Sequence, residues 1–468
     1  ALVSGVAPDQ AFLLQTCADS GPAGADSGAA ATGDGEATGD GDAASGDAVG
    51  PGPETAGAAD PVTVDGSLAR ADDTAPAWTP IAGERRLPAP VRPSGFRIRD
   101  VSKKAGLKGR MHTLAGLAAD LDANGYDDVF VWSHGDQPRL LMGGPDGFSP
   151  GRGEAFGKLD RHQCSAADID ADGALDIFCS AGRARGSAID RHELSLRPGF
   201  EDGGVEPGLA GIEDPFGRGR AATFIQLDDD GLPDLFIANS ADRGDSLPGT
   251  NRVFRYVGGS FVAAPEVGLD LSTGGWCALA ADIDGDKDQD LLHCQEFGDD
   301  GRGPGLRIHH NDDGELRERS RRLGIRPIDD IDVIVADMTG DGRKDIVQLS
   351  RTRLRISRGN RDGVFTPVYE ALTPFATGMA VGDGNADGDL DLYVVAGSTA
   401  GNKTDMLLVN EGRARSFRSV KIPQARGGSG ADVIALDYDL NGRTDFVVLD
   451  GRGSAIAPLR LLASYPRR

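Results

Sequence analysis

The chain has 468 residues, room for one large domain or several small ones, and a formal net charge of −24, from 73 Asp and Glu against 49 Lys and Arg. That balance argues against nucleic acid or an anionic membrane as a partner. No apolar run reaches the roughly 18 residues a membrane-spanning helix needs, so no membrane span is expected.

Taken in order, residues 1–92 stand apart. Stretches such as Gly33-Asp34-Gly35-Glu36-Ala37-Thr38-Gly39-Asp40-Gly41-Asp42 are rich in Ala, Gly and Asp and have no periodic apolar positions. They cannot bury enough surface to offset chain entropy, so this part reads as a low-complexity acidic linker, or as a tail that orders against a neighbouring subunit. Pro76 to Pro93 forms a stiffer lead-in. A start at Ala1 fits a processed secreted protein and equally a cut boundary. Leu14-Gln15-Thr16-Cys17 carries part of a bacterial lipidation pattern, with Thr16 and Asp9 out of place.

From residue 93 onward one pattern recurs. Asp120-Leu121-Asp122-Ala123-Asn124-Gly125-Tyr126-Asp127-Asp128 places oxygen-bearing side chains at positions one, three, five and nine, with Gly at six. Side chains so spaced converge on one point when the chain wraps a hard cation, and Ca²⁺ takes six to eight oxygens at about 2.3–2.6 Å. The same spacing returns as Asp168, Asp170, Asp172, Asp176; Gln226, Asp228, Asp230, Asp234; Asp282, Asp284, Asp286, Asp290; Asp337, Thr339, Asp341, Asp345; Asp383, Asn385, Asp387, Asp391; and Asp437, Asp439, Asn441, Asp445. Successive first positions lie 48, 58, 56, 55, 46 and 54 residues apart, a period of one supersecondary unit.

Each loop sits between two short apolar, β-prone runs, such as Val333-Ile334-Val335-Ala336 before and Phe446-Val447-Val448-Leu449 after. A third run follows, such as Leu354-Arg355-Ile356, then a turn such as Arg361-Asp362-Gly363, then a fourth strand opening on an apolar residue such as Phe365. Four antiparallel strands repeated seven times predict an all-β, seven-bladed β-propeller over residues 93–468. Phe96 to Leu107 resembles the fourth strands elsewhere and has no first three of its own, while the seventh unit stops after a third strand, Pro458 to Leu462. The N-terminal strand is therefore expected to complete the last blade and remove an open sheet edge.

In a hairpin, facing residues share an index sum. Cys164 with Cys179 and Cys277 with Cys294 both sum to one below twice their loop's centre, Asp172 or Asp286, so two cross-strand disulfides are expected. They imply an oxidising compartment, extracellular or at the cell surface, with the periplasm also open. Cys17 is left over.

With these loops on the page, the repeat resembles the FG-GAP/VCBS repeat of integrin α-chain propellers and many bacterial extracellular proteins, over about residues 96–468. The resemblance implies structural Ca²⁺ in the hairpin between a blade's first two strands. It also adds backbone carbonyls at position seven, such as those of Tyr126 and Ala174, to the ligand set. The Phe-Gly and Gly-Ala-Pro signatures are mostly eroded, with Gly275-Trp276 and Gly378-Met379 in their place. An EF-hand would need flanking helices and a Glu at position twelve; Val131, Cys179 and Ile237 stand there instead. Gln226 and Thr339 each remove a carboxylate, and Lys287 replaces the Gly of loop four. Strong sites are therefore expected at loops two, one and seven and weaker ones at three, four and five.

No catalytic constellation is evident. The seven His are scattered, and His309-His310 face opposite sides of one strand. Trp132, Trp276 and Tyr393 read as blade core, and Arg321-Arg322 and Arg467-Arg468 as solvated charge. The favoured reading is a secreted, calcium-stabilised adhesion or interaction module for a surface protein or polysaccharide. One alternative is a structural subunit of an extracellular assembly that self-associates through residues 1–92. Another is a polysaccharide lyase using His112 or His134 as base.

Overall fold

The computed structural model describes residues 85–86, 92–182, 192–196, 210–214, 217–228, 230–240, 250–265, 267–269, 274–295, 305–397, 404–424, 429–453 and 455–467. Cys17 and almost all of the low-complexity segment lie outside them. The described residues form seven sheets, the blades, antiparallel throughout the predicted apolar runs. Their first strands are Ala115–Ala119, Arg161–Ala167, Gly219–Ile225, Gly275–Ala281, Asp330–Ala336, Ala376–Gly382 and Asp432–Leu436. Each contacts the first strand of the next, and the seventh contacts the first, so the blades close into a ring. The fold is an all-β seven-bladed propeller. No helix among the described residues is long and apolar enough to cross a membrane.

These strands read as nearly continuous apolar runs because both faces of each sheet are covered. Alternate side chains point to opposite faces, and each face packs on a neighbouring blade. The buried apolar residues fall into seven clusters, one for each pair of neighbours. Ala118, Val129 and Val131 of blade one meet Ile434, Val447 and Leu449 of blade seven. One residue along, Leu117, Phe130 and Trp132 of blade one meet Cys164 and Ile177 of blade two. The other five interfaces repeat the arrangement. Small residues crowd the first strands because neighbouring sheets approach closely there. A Cβ on Gly116 would lie 2.6 Å from Ile434 Cδ1 on the adjacent blade. Trp132 and Tyr393 are buried core, as their sequence setting suggested, and Trp276 is half-buried with its indole N–H on the Asp330 carbonyl.

Blade two shows three strands among the described residues. In blade seven the outermost strand, Phe96–Asp100, runs antiparallel to Leu459–Pro466 with Phe96 opposite Pro466 and Asp100 opposite Leu462. Arg85–Arg86, within the segment expected to be irregular, pairs parallel with Ala371 and Leu372 at the edge of blade five. Both cysteine pairs face each other in their hairpins and are bonded, with Cα atoms 4.0 Å apart for Cys164–Cys179 and 4.9 Å for Cys277–Cys294.

Candidate functional site

The acidic loops join the first and second strands of every blade in one register. Ala119 faces Asp128, Ala167 faces Asp176, Ile225 faces Asp234, Ala281 faces Asp290, Ala336 faces Asp345, Gly382 faces Asp391 and Leu436 faces Asp445. Position nine is thus always the first residue of the second strand, and all seven loops fall at the same end of their blades.

Within a loop the carboxylates organise the backbone first. The first-position Asp takes the N–H groups of positions five and six on its two oxygens. Asn124 and Gly125 donate to Asp120 at 2.9 and 2.8 Å, and Asp172 and Gly173 donate to Asp168 at 3.0 and 2.9 Å. Loops five, six and seven repeat the pair on Asp337, Asp383 and Asp437. The position-five side chain accepts the N–H of position seven, as Asn124 does from Tyr126 and Asp172 from Ala174.

Position nine is a clamp. Asp128, Asp176, Asp234, Asp290, Asp345, Asp391 and Asp445 are all buried. One Asp128 oxygen accepts the Leu121 N–H at 2.9 Å and the other accepts Gly143 N–H, at the end of the third strand, at 2.7 Å. The third-strand half recurs at Asp234, Asp290, Asp345, Asp391 and Asp445 from the N–H of Tyr256, Asn311, Gly359, Asn410 and Ser464. Burial pushes these carboxyls up: Asp128 and Asp290 to about 7, Asp234 and Asp345 to about 6, Asp391 and Asp445 to about 8. Backbone N–H donors oppose the rise, and neighbouring loop carboxylates add to it at all six.

The arrangement suits a cation. In the triads Asp120–Asp122–Asp128, Asp168–Asp170–Asp176 and Asp282–Asp284–Asp286, one oxygen from each residue lies within 4.8 Å of the others, the span of ligands around one ion of calcium's size. In loop six the Asn385 Oδ1 is buried with no hydrogen-bond donor. Loops one, two and four thus bring three carboxylates within reach of one divalent ion, and the undonated Asn385 oxygen of loop six suits the same role.

Two features of the loops were not legible beforehand. Position four as well as position six adopts positive φ: Ala123 56°, Ala171 58°, Gly285 86°, Gly340 63°, Ala386 56° and Leu440 51°. A non-Gly residue there costs on the order of 1–2 kcal/mol. The other is a set of basic side chains on the third strand. Arg255 Nη1 donates to Asp228 Oδ2 at 2.8 Å, His310 Nε2 lies 2.6 Å from Asp284 Oδ2, and Arg358 Nε donates to Asp341 Oδ2 at 2.7 Å. His310 was set aside from sequence because its neighbour His309 faces away. The strand register opposite position nine is the signal that finds it.

Lys287 has φ 86°, the value its Gly counterparts hold, and its N–H reaches Asp282 at 3.2 Å, where Gly173 reaches Asp168 at 2.9 Å. Lys287→Gly is expected to raise stability by about 1 kcal/mol by denaturant titration, since it removes a left-handed side chain. An unchanged or lower midpoint would contradict that reading.

The opposite blade ends carry a second polar zone. His112 Nδ1 lies 2.8 Å from Asp136 Oδ2. His134 hydrogen-bonds Asp160, and His162 Nε2 sits 3.7 Å from the same carboxylate. His162 is held down to about 4 by burial and by the Arg220 guanidinium, which keeps the ring neutral, and the guanidinium charge against its Nε2 opposes a cation at that trio. Burial would raise Asp214, but donors on His192, Asn239 and Arg252 hold it below the usual carboxylate range. His112 and His134, the candidate bases, are each paired with a carboxylate but lie in separate pairs.

Fold and loops together define a seven-bladed propeller with an acidic hairpin loop at one end of every blade. The sequence matches the model of the FG-GAP-like repeat over residues 120–179, 226–293 and 337–394. Each match opens on the first position of an odd-numbered loop and ends in the second strand of the next blade. These three stretches of the chain are FG-GAP-like repeats. It is 31% identical over 155 residues to phosphatidylinositol-glycan-specific phospholipase D of Mus musculus, a match covering 30% of this chain and 18% of that protein's length. Among solved structures, an Agrocybe aegerita lectin described as recognising non-reducing terminal N-acetylglucosamine aligns at 19% identity, TM-score 0.43, over 66% of this chain and 80% of the lectin. The BBS1N chain crystallised with ARL6DN aligns at 10% identity and TM-score 0.46 in a lead-soaked crystal, over 79% of this chain and 97% of that one.

Proposed function

We propose that the protein is a secreted propeller, stabilised by calcium, that binds a protein or polysaccharide at a cell surface or in a matrix. What carries the reading is the placement of the loops. Repeated carboxylate clusters at one register, tying three strands in six of the blades, are built to stabilise the fold and not to act on a substrate. Calcium then serves as a folding cofactor that offsets carboxylate repulsion. Two cross-strand disulfides suit the oxidising compartment where free calcium is plentiful. In this reading Phe96–Asp100 closes the ring, and residues 1–92 serve as tether or assembly arm.

The test is binding of the calcium-loaded chain to panels of extracellular polysaccharides and surface proteins, repeated in chelator. The reading expects a ligand whose binding is lost when chelation loosens the fold. Sizing of the full chain beside one beginning at Pro93 separates it from the assembly reading, which expects only the full chain to associate. The His134–Asp160 and His112–Asp136 pairs favour a second reading, a polysaccharide lyase with an imidazole base. New unsaturated chain ends, abolished by His134→Ala or His112→Ala, would establish the lyase and displace the binder.

A further inference from the structure

Not every loop with the calcium spacing has room, electrostatically, for calcium. We infer that loops three, four and five are neutralised by the protein's own cations, and that the propeller takes metal only at loops one, two, six and seven. This rests on the calcium reading above and sets its stoichiometry.

One position per blade sets the loops apart. Extending each blade's register by one step places a third-strand residue opposite the position-nine Asp, directly before the residue whose N–H clamps it. In blades three, four and five that residue is Arg255, His310 and Arg358. Each turns a basic nitrogen onto its own loop: Arg255 onto Asp228 at 2.8 Å, His310 Nε2 onto Asp284 at 2.6 Å, and Arg358 onto Asp341 at 2.7 Å. His310 Nε2 also lies 3.9 Å from both Asp286 and Asp290, so the ring nitrogen stands among the carboxylates a metal would gather. Arg343 adds a second guanidinium on Asp341 at 3.1 Å. In blades one, two, six and seven the same position holds Met142, Leu196, Val409 and Ala463, none of which is cationic.

A second, separate set of changes falls on the same three blades. Loop three has Gln226 in place of the first carboxylate, loop five has Thr339 in place of the second, and loop four has Lys287 in place of Gly. Loss of a ligand charge in loops three and five, or gain of a lysine in loop four, and gain of a facing base are changes about 20 or more residues apart in sequence that meet only in the folded blade. Together they convert a divalent-ion site into an internal ion pair. Arg255 satisfies only one Asp228 oxygen, since Oδ1 has no partner, so loops four and five are the clearer cases. Blades three, four and five are consecutive, and blades six, seven, one and two are consecutive through the ring closure. The propeller is thus divided into a metal-free arc and a metal-dependent arc, and the dependent arc contains the closure.

The experiment is a count of bound calcium. The full chain is stripped with chelator, equilibrated with excess calcium, and its bound metal measured by native mass spectrometry and elemental analysis. Four ions per chain are expected, one for each loop of the dependent arc. His310→Leu and Arg358→Met install at loops four and five the kind of residue that blades two and one carry, and a gain of one ion in either is expected. Circular dichroism in calcium confirms that each variant folds. Any wild-type count other than four overturns the assignment, as does a count unchanged in both folded variants. A count of zero with melting indifferent to chelator overturns the calcium reading itself.

Discussion

A chain lacking residues 96–107 is expected to lose the cooperative melting of the propeller, not merely to soften one blade. Phe96 is 1% exposed and sits in the layer between blades six and seven, against Ala380, Tyr393, Val448 and Leu462. Ala105 and Leu107 extend the layer between blades seven and one. Removing the segment opens two neighbouring interfaces and uncovers Leu459–Pro466, a long apolar strand, as a free edge. A free edge of that kind recruits other chains, so aggregation should accompany the lost stability. The single change Phe96→Ala tests the same idea without deleting backbone. Truncating a buried Phe costs roughly 3–5 kcal/mol, and chemical denaturation of the folded variant reads the loss. A truncated chain with a normal, reversible melt would show that the ring closes without this strand.

Much of this architecture was legible because its signals are local. The loop motif places its ligands within nine residues, and its hairpin fixes the second strand by index arithmetic, so the pairings Cys164–Cys179 and Cys277–Cys294 followed from the register sum. The blade core was legible because both faces are buried and the strands are apolar throughout. Arg255, His310 and Arg358 lie beyond that reach. They come 21, 20 and 13 residues after the last positions of their loops, past a connection of variable length, so no fixed spacing marks them. The positive φ of Ala123, Ala171, Ala386 and Leu440 was hidden for a different reason. The residues there are ordinary, and carboxylate-to-backbone hydrogen bonds within the loop impose the conformation that Gly would otherwise announce.

Removing calcium is expected to produce the largest reversible loss of stability, with an inverted dependence on pH. Extracellular calcium modules have Kd of roughly 10⁻⁴–10⁻³ M. At free calcium about ten times Kd, each occupied site adds about 1.4 kcal/mol, so four independent sites together add about 6 kcal/mol. That is comparable with the whole stability of many domains. Thermal melts in a few millimolar calcium (~10⁻³ M scale) and in chelator measure the difference. In the metal-free protein the sign of the pH effect follows from the position-nine carboxyls. Burial raises Asp391 and Asp445 to about 8 and Asp128 to about 7, against about 3.9 for an unfolded Asp. Between those values the native state holds more protons than the unfolded one, so stability falls as pH rises. The contribution is complete below about pH 4 and is lost as pH climbs through the folded values. In chelator the melting midpoint should therefore be higher near pH 6 than near pH 8 (approximate values, from the shifts above). Saturating calcium displaces those protons and should flatten or reverse the slope. A metal-free midpoint that rises with pH would mean that the loops are not the dominant titrating charge of the fold, whereas the inverted slope would tie the stability of the ring to cations held by its hairpins.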